Sequence, residues 1–156
     1  VDATRFFFLM RSSDTHLDFD LELAKKASAD NPVFYIQYAH ARICSIFRTA
    51  TERGIKLLDS VDIDLSPLKN EEEFVMIKKI LSFTEIIEKS AELLEVHRVA
   101  FYLQDLVGTF HRYYSRNRIV SDDHALSFAR LFLMNCLRIT ICNGLSIMGV
   151  SSPERM

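Results

Sequence analysis

The sequence predicts an all-α helical bundle, and three observations indicate it. The 156-residue chain holds only four glycines and three prolines, which favours few turns and long regular elements. Apolar residues recur at every third or fourth position in several segments, which is the spacing of one face of a helix. The last long segment, from about residue 121, is apolar nearly all round, and such a helix is typical of the centre of a bundle.

The first thirty residues predict two short helices. Asp2 can cap a first helix that runs through Met10, because its carboxylate would accept from the free amides of the first turn. The polar stretch that follows predicts a loop. It leads to an N-cap at Asp18 or Asp20 and to a short helix that reaches about Ala29.

A long helix is predicted between Asn31 and Gly54. Asn31 followed by Pro32 is a start signal, in which a capping residue precedes proline at the first helical position. Gly54 is expected to end the helix after Arg53. The spacing predicts one buried stripe, formed by Ile36, Ala39, Ile43, Ile46 and Ala50.

An acidic segment follows. Residues 55–69 predict a connecting loop, and Asn70 then caps a helix whose first turn holds three glutamates, where the helix dipole favours acids. A second helical piece is expected after Thr84. Ten acids face four lysines between Leu57 and Glu95, a net charge of −6. Because this segment would repel a phosphate backbone, we expect it to lie away from any nucleic acid.

Two more long helices complete the predicted bundle. The first begins near Glu95, and its buried stripe is formed by Val96, Val99, Leu103, Leu106, Phe110 and Tyr113. After a turn at residues 115–121, Ser121 or Asp122 is predicted to start the final helix. Asn143-Gly144 is predicted to end it, because glycine readily takes the left-handed conformation.

Charge, cysteines and motifs limit the function classes. The net charge is −2, so a surface for nucleic acid would have to be local. The three cysteines form no CxxC pair, which is typical of reduced thiols in a cytoplasmic protein. Arg130 and Arg138 interrupt the most apolar block, so no membrane contact is expected. Without a metal-binding motif, a glycine-rich phosphate loop or a nucleophile motif, we expect no catalytic residue, metal or cofactor in this chain.

Two groups of aromatic and basic residues could bind RNA. Tyr35, Tyr38, Arg42 and Ser45 share the helix face opposite the buried stripe of the long helix. The second group is the run HRYYSRNR at residues 111–118. Rings stack on unpaired bases, and guanidinium groups pair with phosphates or base edges. From the residues alone, both groups also fit a structural interpretation, as tyrosines at the core edge and as a solvated helix C-terminus.

Three segments, taken in order, resemble the C-terminal region of bacterial arginyl-tRNA synthetases of class I. They are DATRFFFLMRSSDTHLDFD (Asp2–Asp20), FYIQYAHARICSI (Phe34–Ile46) with the family's YAHAR string, and the block His124–Met156, which ends on the family's PERM terminus. That region carries the helical DALR anticodon-binding domain. The family's Asp-Ala-Leu-Arg string is replaced here by Asp-His-Ala-Leu-Ser (Asp123–Ser127). A related domain occurs in cysteinyl-tRNA synthetases, which remains an alternative.

The resemblance implies a division of the chain. Residues 1–29 would be a joint segment that follows the catalytic domain, and residues 30–156 the anticodon-binding domain. The implied partners are the anticodon stem-loop of an arginine tRNA and the protein's own catalytic domain. The implied RNA-binding residues are Tyr35, Tyr38, His40, Arg42, His111, Arg112, Tyr113, Tyr114, Arg116, Asn117, Arg118 and Met156.

The resemblance also implies what the complete enzyme does. It would join arginine to tRNA in the cytoplasm, using ATP with magnesium. The HIGH-like and KMSKS-like motifs of such enzymes are missing and the chain opens on Val1, so we expect a fragment that is inactive alone. The rival interpretation is a helical protein–protein interaction module, whose docking surfaces would be the tyrosine face and Phe6-Phe7-Phe8. Exposed phenylalanines also predict a weak self-association of the truncated chain.

Overall fold

The computed structural model describes residues 1–12, 20–55 and 63–156, and these residues form seven α-helices. They are α1 (Asp2–Leu9), α2 (Leu21–Lys25), α3 (Pro32–Glu52), α4 (Glu71–Leu81), α5 (Phe83–Leu93), α6 (His97–Arg116) and α7 (His124–Ile147). None of the described residues lies in a β-strand. The prediction of an all-α fold is confirmed.

Three of the seven described helices begin at the predicted capping residues. The side chains of Asp20 and Asn31 accept hydrogen bonds from the first turns of α2 and α3. Asn70 and Glu73 form a reciprocal capping box at the start of α4. Gly54 follows α3 with a φ of +75°, in the left-handed region that glycine tolerates. The alternative cap at Asp18 lies outside the described residues.

Three predicted helix boundaries are wrong. Val1 holds the cap position of α1, and the Asp2 carboxylate accepts instead from Gln37 and from the Ser151 amide. Helix α2 ends at Lys25 rather than near Ala29. The cap of α7 is Asp123, one or two residues later than predicted.

The predicted stop at Asn143-Gly144 is also wrong, because Gly144 lies inside α7. A Cβ atom on Gly144 would be 2.8 Å from a δ-methyl carbon of Leu103, so only glycine allows this approach of α7 to α6. The left-handed glycine comes later, at Gly149, with a φ of +63°. Gly144 therefore allows α7 to pack closely on α6 and does not end α7.

One core lies between α3, α6 and α7. Helix α3 packs against both α6 and α7, and α4 and α5 pack on α6. The predicted stripe of α3 is buried, including Ile36 and Ile43, and so is that of α6, including Leu103 and Phe110. Val96 is the exception, because it precedes the first turn of α6 and is 39% exposed.

Helix α7 is long and apolar enough to cross a membrane by length and composition. In this bundle Leu131, Leu137 and Ile141 are instead fully buried, and α7 packs against α3, α4 and α6. Its Arg130 pairs with the buried Glu73 at 2.8 Å. The prediction that the final helix is central in the bundle is confirmed.

The C-terminal tail lies across α1 and α3. The Gln37 amide donates to the Ser151 carbonyl oxygen at 2.9 Å, and His40 Nδ1 donates to the Pro153 carbonyl oxygen at 2.9 Å. Burial alone would raise the pKa of Asp2, but hydrogen bonds from Ser151 and Gln37 lower it overall. These contacts tie both ends of the chain to α3.

Helix α1 contributes to the same core. Phe6 and Phe7 are buried, whereas Phe8 is 56% exposed. The predicted docking surface of three phenylalanines is therefore corrected to Phe8, because Phe6 packs in the core and Phe7 is only 7% exposed. The division of the chain at residue 29 stays a prediction.

Candidate nucleic-acid interface

The tyrosine face of α3 lies beside α6. Tyr35 and Tyr38 are half-buried, and their rings meet the imidazole of His111 from α6. The ring centroid of His111 is 4.5 Å from that of Tyr35 and 5.9 Å from that of Tyr38. The Tyr38 and His111 rings are stacked, with 20° between their planes. The packing of α3 on α6 therefore brings the two predicted groups together.

The exposed Arg42 side chain lies between two aromatic rings. Its Cζ is 5.4 Å from the ring centroid of Tyr38 and 5.1 Å from that of Tyr114. A cation within about 6 Å of a ring centroid is attracted by the ring face, so both rings orient Arg42. We call Tyr35, Tyr38, Arg42, His111 and Tyr114 the aromatic cluster. It presents stacked rings and one positive charge at the surface.

The surroundings of His111 lower its pKa, which favours the neutral imidazole. Burial lowers its pKa below the usual 6.5, a hydrogen bond with the Tyr35 backbone opposes this shift, and the charge of Arg42 adds to it. Its Nε2 atom is buried without a hydrogen-bond partner.

A groove of about 290 Å³ lies next to the cluster, between the C-terminal half of α3 and the loop after α6. Its polar lining is formed by Ser45, Thr49, Arg53, Tyr114, Asn117 and Arg118. Thr49 and Arg53 are absent from the predicted set. The spacing could have found them, because steps of four residues from Ser45 along the same helix face reach positions 49 and 53.

The side chains of residues 111–118, at the end of α6 and in the loop after it, point in different directions. His111 and Tyr114 contact the α3 side, whereas Tyr113 is fully buried and its hydroxyl donates to Glu73 Oε1 at 2.5 Å. Burial raises the pKa of Tyr113, and the hydrogen bond and charge of Glu73 add to the rise, so the phenol remains a donor. Tyr113 was predicted to contact RNA, and this prediction is corrected, because its side chain lies in the core.

Three other residues of the run point away from the aromatic cluster. Arg112 contacts its own helix α6, and Arg116 and Asn117 contact the start of α4. Arg112 donates to Thr109 Oγ1 at 3.2 Å. Arg116 Nη1 lies 3.3 Å from a Glu72 oxygen, and Asn117 Nδ2 donates to the other at 3.4 Å. Glu72 belongs to the acidic segment that was expected to lie away from RNA. It thus lies beside the predicted basic run at residues 111–118.

His40 is only 2% exposed, and its ring holds the tail through the hydrogen bond with Pro153. Its predicted direct contact with RNA is therefore corrected, because His40 supports the tail instead.

The neighbouring Cys44 Sγ lies 3.9 Å from His40 Nδ1, and burial raises the pKa of this thiol. The pair is packed, with an uncharged thiol, and does not form a nucleophile and its base.

Met156 lies at the end of the tail and is 55% exposed. The tail follows the face of α3 that carries Gln37, His40 and Arg48. At about 100° per residue, these three residues lie about 120–160° around the helix axis from Arg42, nearly on the opposite face. A role of Met156 in RNA binding stays a prediction.

The described part of the chain holds no group of three or more histidines, cysteines, aspartates or glutamates placed to bind a metal ion. The polar chemistry of the surface is that of aromatic rings, guanidinium groups, hydroxyls and one amide. These groups recognise bases and phosphates without a metal.

The chain is similar in sequence and fold to known proteins. Residues 36–156 match the model of the DALR anticodon binding domain. The chain is 52% identical over 155 residues to an arginine–tRNA ligase of Geotalea uraniireducens and 54% identical over 156 residues to one of Symbiobacterium thermophilum. These matches cover 99% and 100% of this chain but 28% of each relative.

A solved structure has the same fold. The Thermus thermophilus arginyl-tRNA synthetase matches with a TM-score of 0.84 and 29% sequence identity. The match covers 99% of this chain and 26% of that chain. The chain therefore spans about a quarter of the length of the proteins that it matches.

Proposed function

Since this chain belongs to the DALR anticodon-binding domain family, we propose that it binds the anticodon loop of an arginine tRNA through the aromatic cluster and the adjoining groove. The observation that carries this proposal is the exposed Arg42 held between Tyr38 and Tyr114. The relatives at 52–54% identity are arginine–tRNA ligases, which supports arginine over the cysteine alternative.

The aromatic cluster suits unpaired bases. Tyr38 and Tyr114 supply partly exposed rings at the surface, and a base that replaces the Arg42 guanidinium over one of them would gain about 1–3 kcal/mol from stacking. The planar guanidinium of Arg42 can pair with a phosphate or with a base edge. Because both rings already orient it, less side-chain entropy is lost when RNA binds.

The groove suits the sugar–phosphate backbone. Arg53 and Arg118 line it with their guanidinium groups, and Ser45 and Thr49 add hydroxyls. The loop that carries Arg118 is held in place, because Arg130 Nη1 donates to its carbonyl oxygen at 2.7 Å. Two arginines on a positioned loop and helix end should bind phosphate with a clear salt dependence.

We propose that the longer protein is an arginine–tRNA ligase of the cytoplasm, with ATP and magnesium bound by its catalytic domain. This chain would report the bound anticodon to that domain. Since the sequence lacks the HIGH-like and KMSKS-like motifs, we expect no arginine-dependent exchange of pyrophosphate into ATP by the chain alone. Such exchange at a measurable rate would contradict this part of the proposal.

The test is RNA binding measured by fluorescence anisotropy. The chain is titrated with an arginine-tRNA anticodon stem-loop and with a matched loop whose middle anticodon base is changed, each at two salt concentrations. We expect binding that weakens with the base change and falls steeply with salt. Absence of binding, or salt-independent binding of both loops, would contradict the proposal and favour a protein-interaction module.

A further inference from the structure

A second group of arginines lies behind the C-terminal tail. Here α3, α7 and the tail line a solvent-open cavity of about 470 Å³, larger than the groove beside the aromatic cluster. Its polar lining is formed by Cys44, Arg48, Asn135, Arg138, Glu154 and Arg155. Arg112 and Arg116, the other arginines of the predicted set, do not line it. The cavity is thus separate from the surface described above.

The charge of this cavity is not balanced. Three guanidinium groups face one carboxylate, that of Glu154. Within the part of the chain that the structure describes, no carboxylate lies within ion-pair distance of these guanidinium groups, whereas Arg116 and Arg130 both have such a partner. Arg48 donates to the Glu154 backbone carbonyl oxygen at 3.2 Å, which leaves its charge uncompensated.

The donors of the cavity are also oriented. Arg138 Nε and Nη2 both donate to Asn135 Oδ1, at 3.3 and 3.0 Å. This contact holds the guanidinium plane and leaves Asn135 Nδ2 and the other guanidinium N–H groups as donors. Burial raises the pKa of Cys44, so its thiol adds no negative charge. The cavity is therefore rich in donors and positive charge.

We propose that the cavity between Arg48, Arg138 and Arg155 binds a phosphate group. Planar guanidinium groups bind phosphate oxygens in pairs, and three around one cavity match a tetrahedral anion better than a planar base. This inference rests on the proposed function, since the source of the phosphate is the backbone of the RNA bound by the aromatic cluster. Arg42 and Arg48 are six residues apart, about 9 Å along α3 and about 120° around its axis, so a stem-loop that contacts both must reach around this helix.

The test compares charge-neutralising variants. Arg138→Gln and Arg155→Gln are each titrated with the stem-loop over a range of salt, beside Arg98→Gln, a control at the far end of α6. Arg155 is exposed in the tail, so its variant gives the test without risk to folding. We expect each cavity variant to lower the slope of log K against log salt by about 0.7–0.9, the value for one phosphate contact. The control should not change it.

A phosphate contact carries no base identity, so the affinity ratio between the matched and the base-changed loops should stay as in the unaltered chain. If the unaltered chain binds RNA and both cavity variants keep its salt slope, the inference fails while the proposed function stands.

If the unaltered chain binds no RNA, the proposed function fails, and inorganic phosphate becomes the probe. Saturable shifts of the Arg48 and Arg138 Nε–H resonances, with the Arg48 shift lost in Arg138→Gln, would retain a site for free phosphate. Unchanged resonances would overturn the inference as well.

Discussion

The guanidinium of Arg42 lies 5.1 Å from the ring centroid of Tyr114, so the middle of α3 meets the end of α6 at the surface. Arg42 also lies over Tyr38, one turn earlier on its own helix. A residue of the YAHAR segment and one of the basic run thus form a single surface. Removing either partner should therefore affect RNA binding more than folding.

Arg42→Gln should weaken stem-loop binding about 10- to 150-fold, because a hydrogen bond to a charged group contributes about 1.5–3 kcal/mol. The unfolding free energy should change by less than about 1 kcal/mol, since the side chain is exposed. Anisotropy titration and urea unfolding measure the two effects. Arg98→Gln is the matched control, and equal losses of affinity in both variants would contradict the assignment.

Tyr113 and Tyr114 should separate stability from binding. Tyr113→Phe removes the hydrogen bond to Glu73 and should lower the unfolding free energy by about 1–2 kcal/mol without a change in RNA affinity. Tyr114→Leu should cost about 1–3 kcal/mol of binding through lost stacking. Both variants are measured by urea unfolding and anisotropy. A loss of affinity in folded Tyr113→Phe would restore Tyr113 as an RNA contact.

Two glycines inside helices should respond oppositely to alanine. At Gly144 the added methyl would meet the fully buried Leu103 at 2.8 Å, so Gly144→Ala should destabilise the chain by about 1–2 kcal/mol. At Gly108 the nearest atom is Arg112 Nη1 at 3.6 Å, and Gly108→Ala should stabilise α6 by up to about 1 kcal/mol. Urea unfolding measures the change in unfolding free energy of both variants. A more stable Gly144→Ala would disprove the close approach of Gly144 to Leu103.

His111 should make stability depend on pH. Burial lowers its pKa in the folded chain below the unfolded value of 6.5, so the unfolded chain binds the proton first as pH falls. This contribution to stability is complete above about pH 7. It decreases from pH 6.5 down to the folded-state pKa. His111→Asn should reduce the difference in urea midpoint between pH 7.5 and 5.5, with exposed His124→Asn as control. An unchanged difference would show that His111 is not the group responsible.

Local signals in the sequence were enough for most of the helices. The caps at Asn31 and Asn70 and the stripe that includes Ile43 depend on neighbours in the chain, and these predictions are confirmed. The predictions failed where a distant residue competes. Asp2 bonds Gln37 and Ser151 instead of capping its helix, and Gly144 meets Leu103 instead of ending α7.

The sequence by itself determined the helices, the tyrosine face of α3 and, through three matching segments, the family. It did not determine which residues of the run 111–118 share a surface with that face. Only the packing of α6 between α3 and α4 decided that His111 and Tyr114 join Arg42 while Tyr113 binds buried Glu73. The physical reason is that helix periodicity depends on neighbouring residues, whereas the direction of a face depends on apolar surfaces buried by other helices.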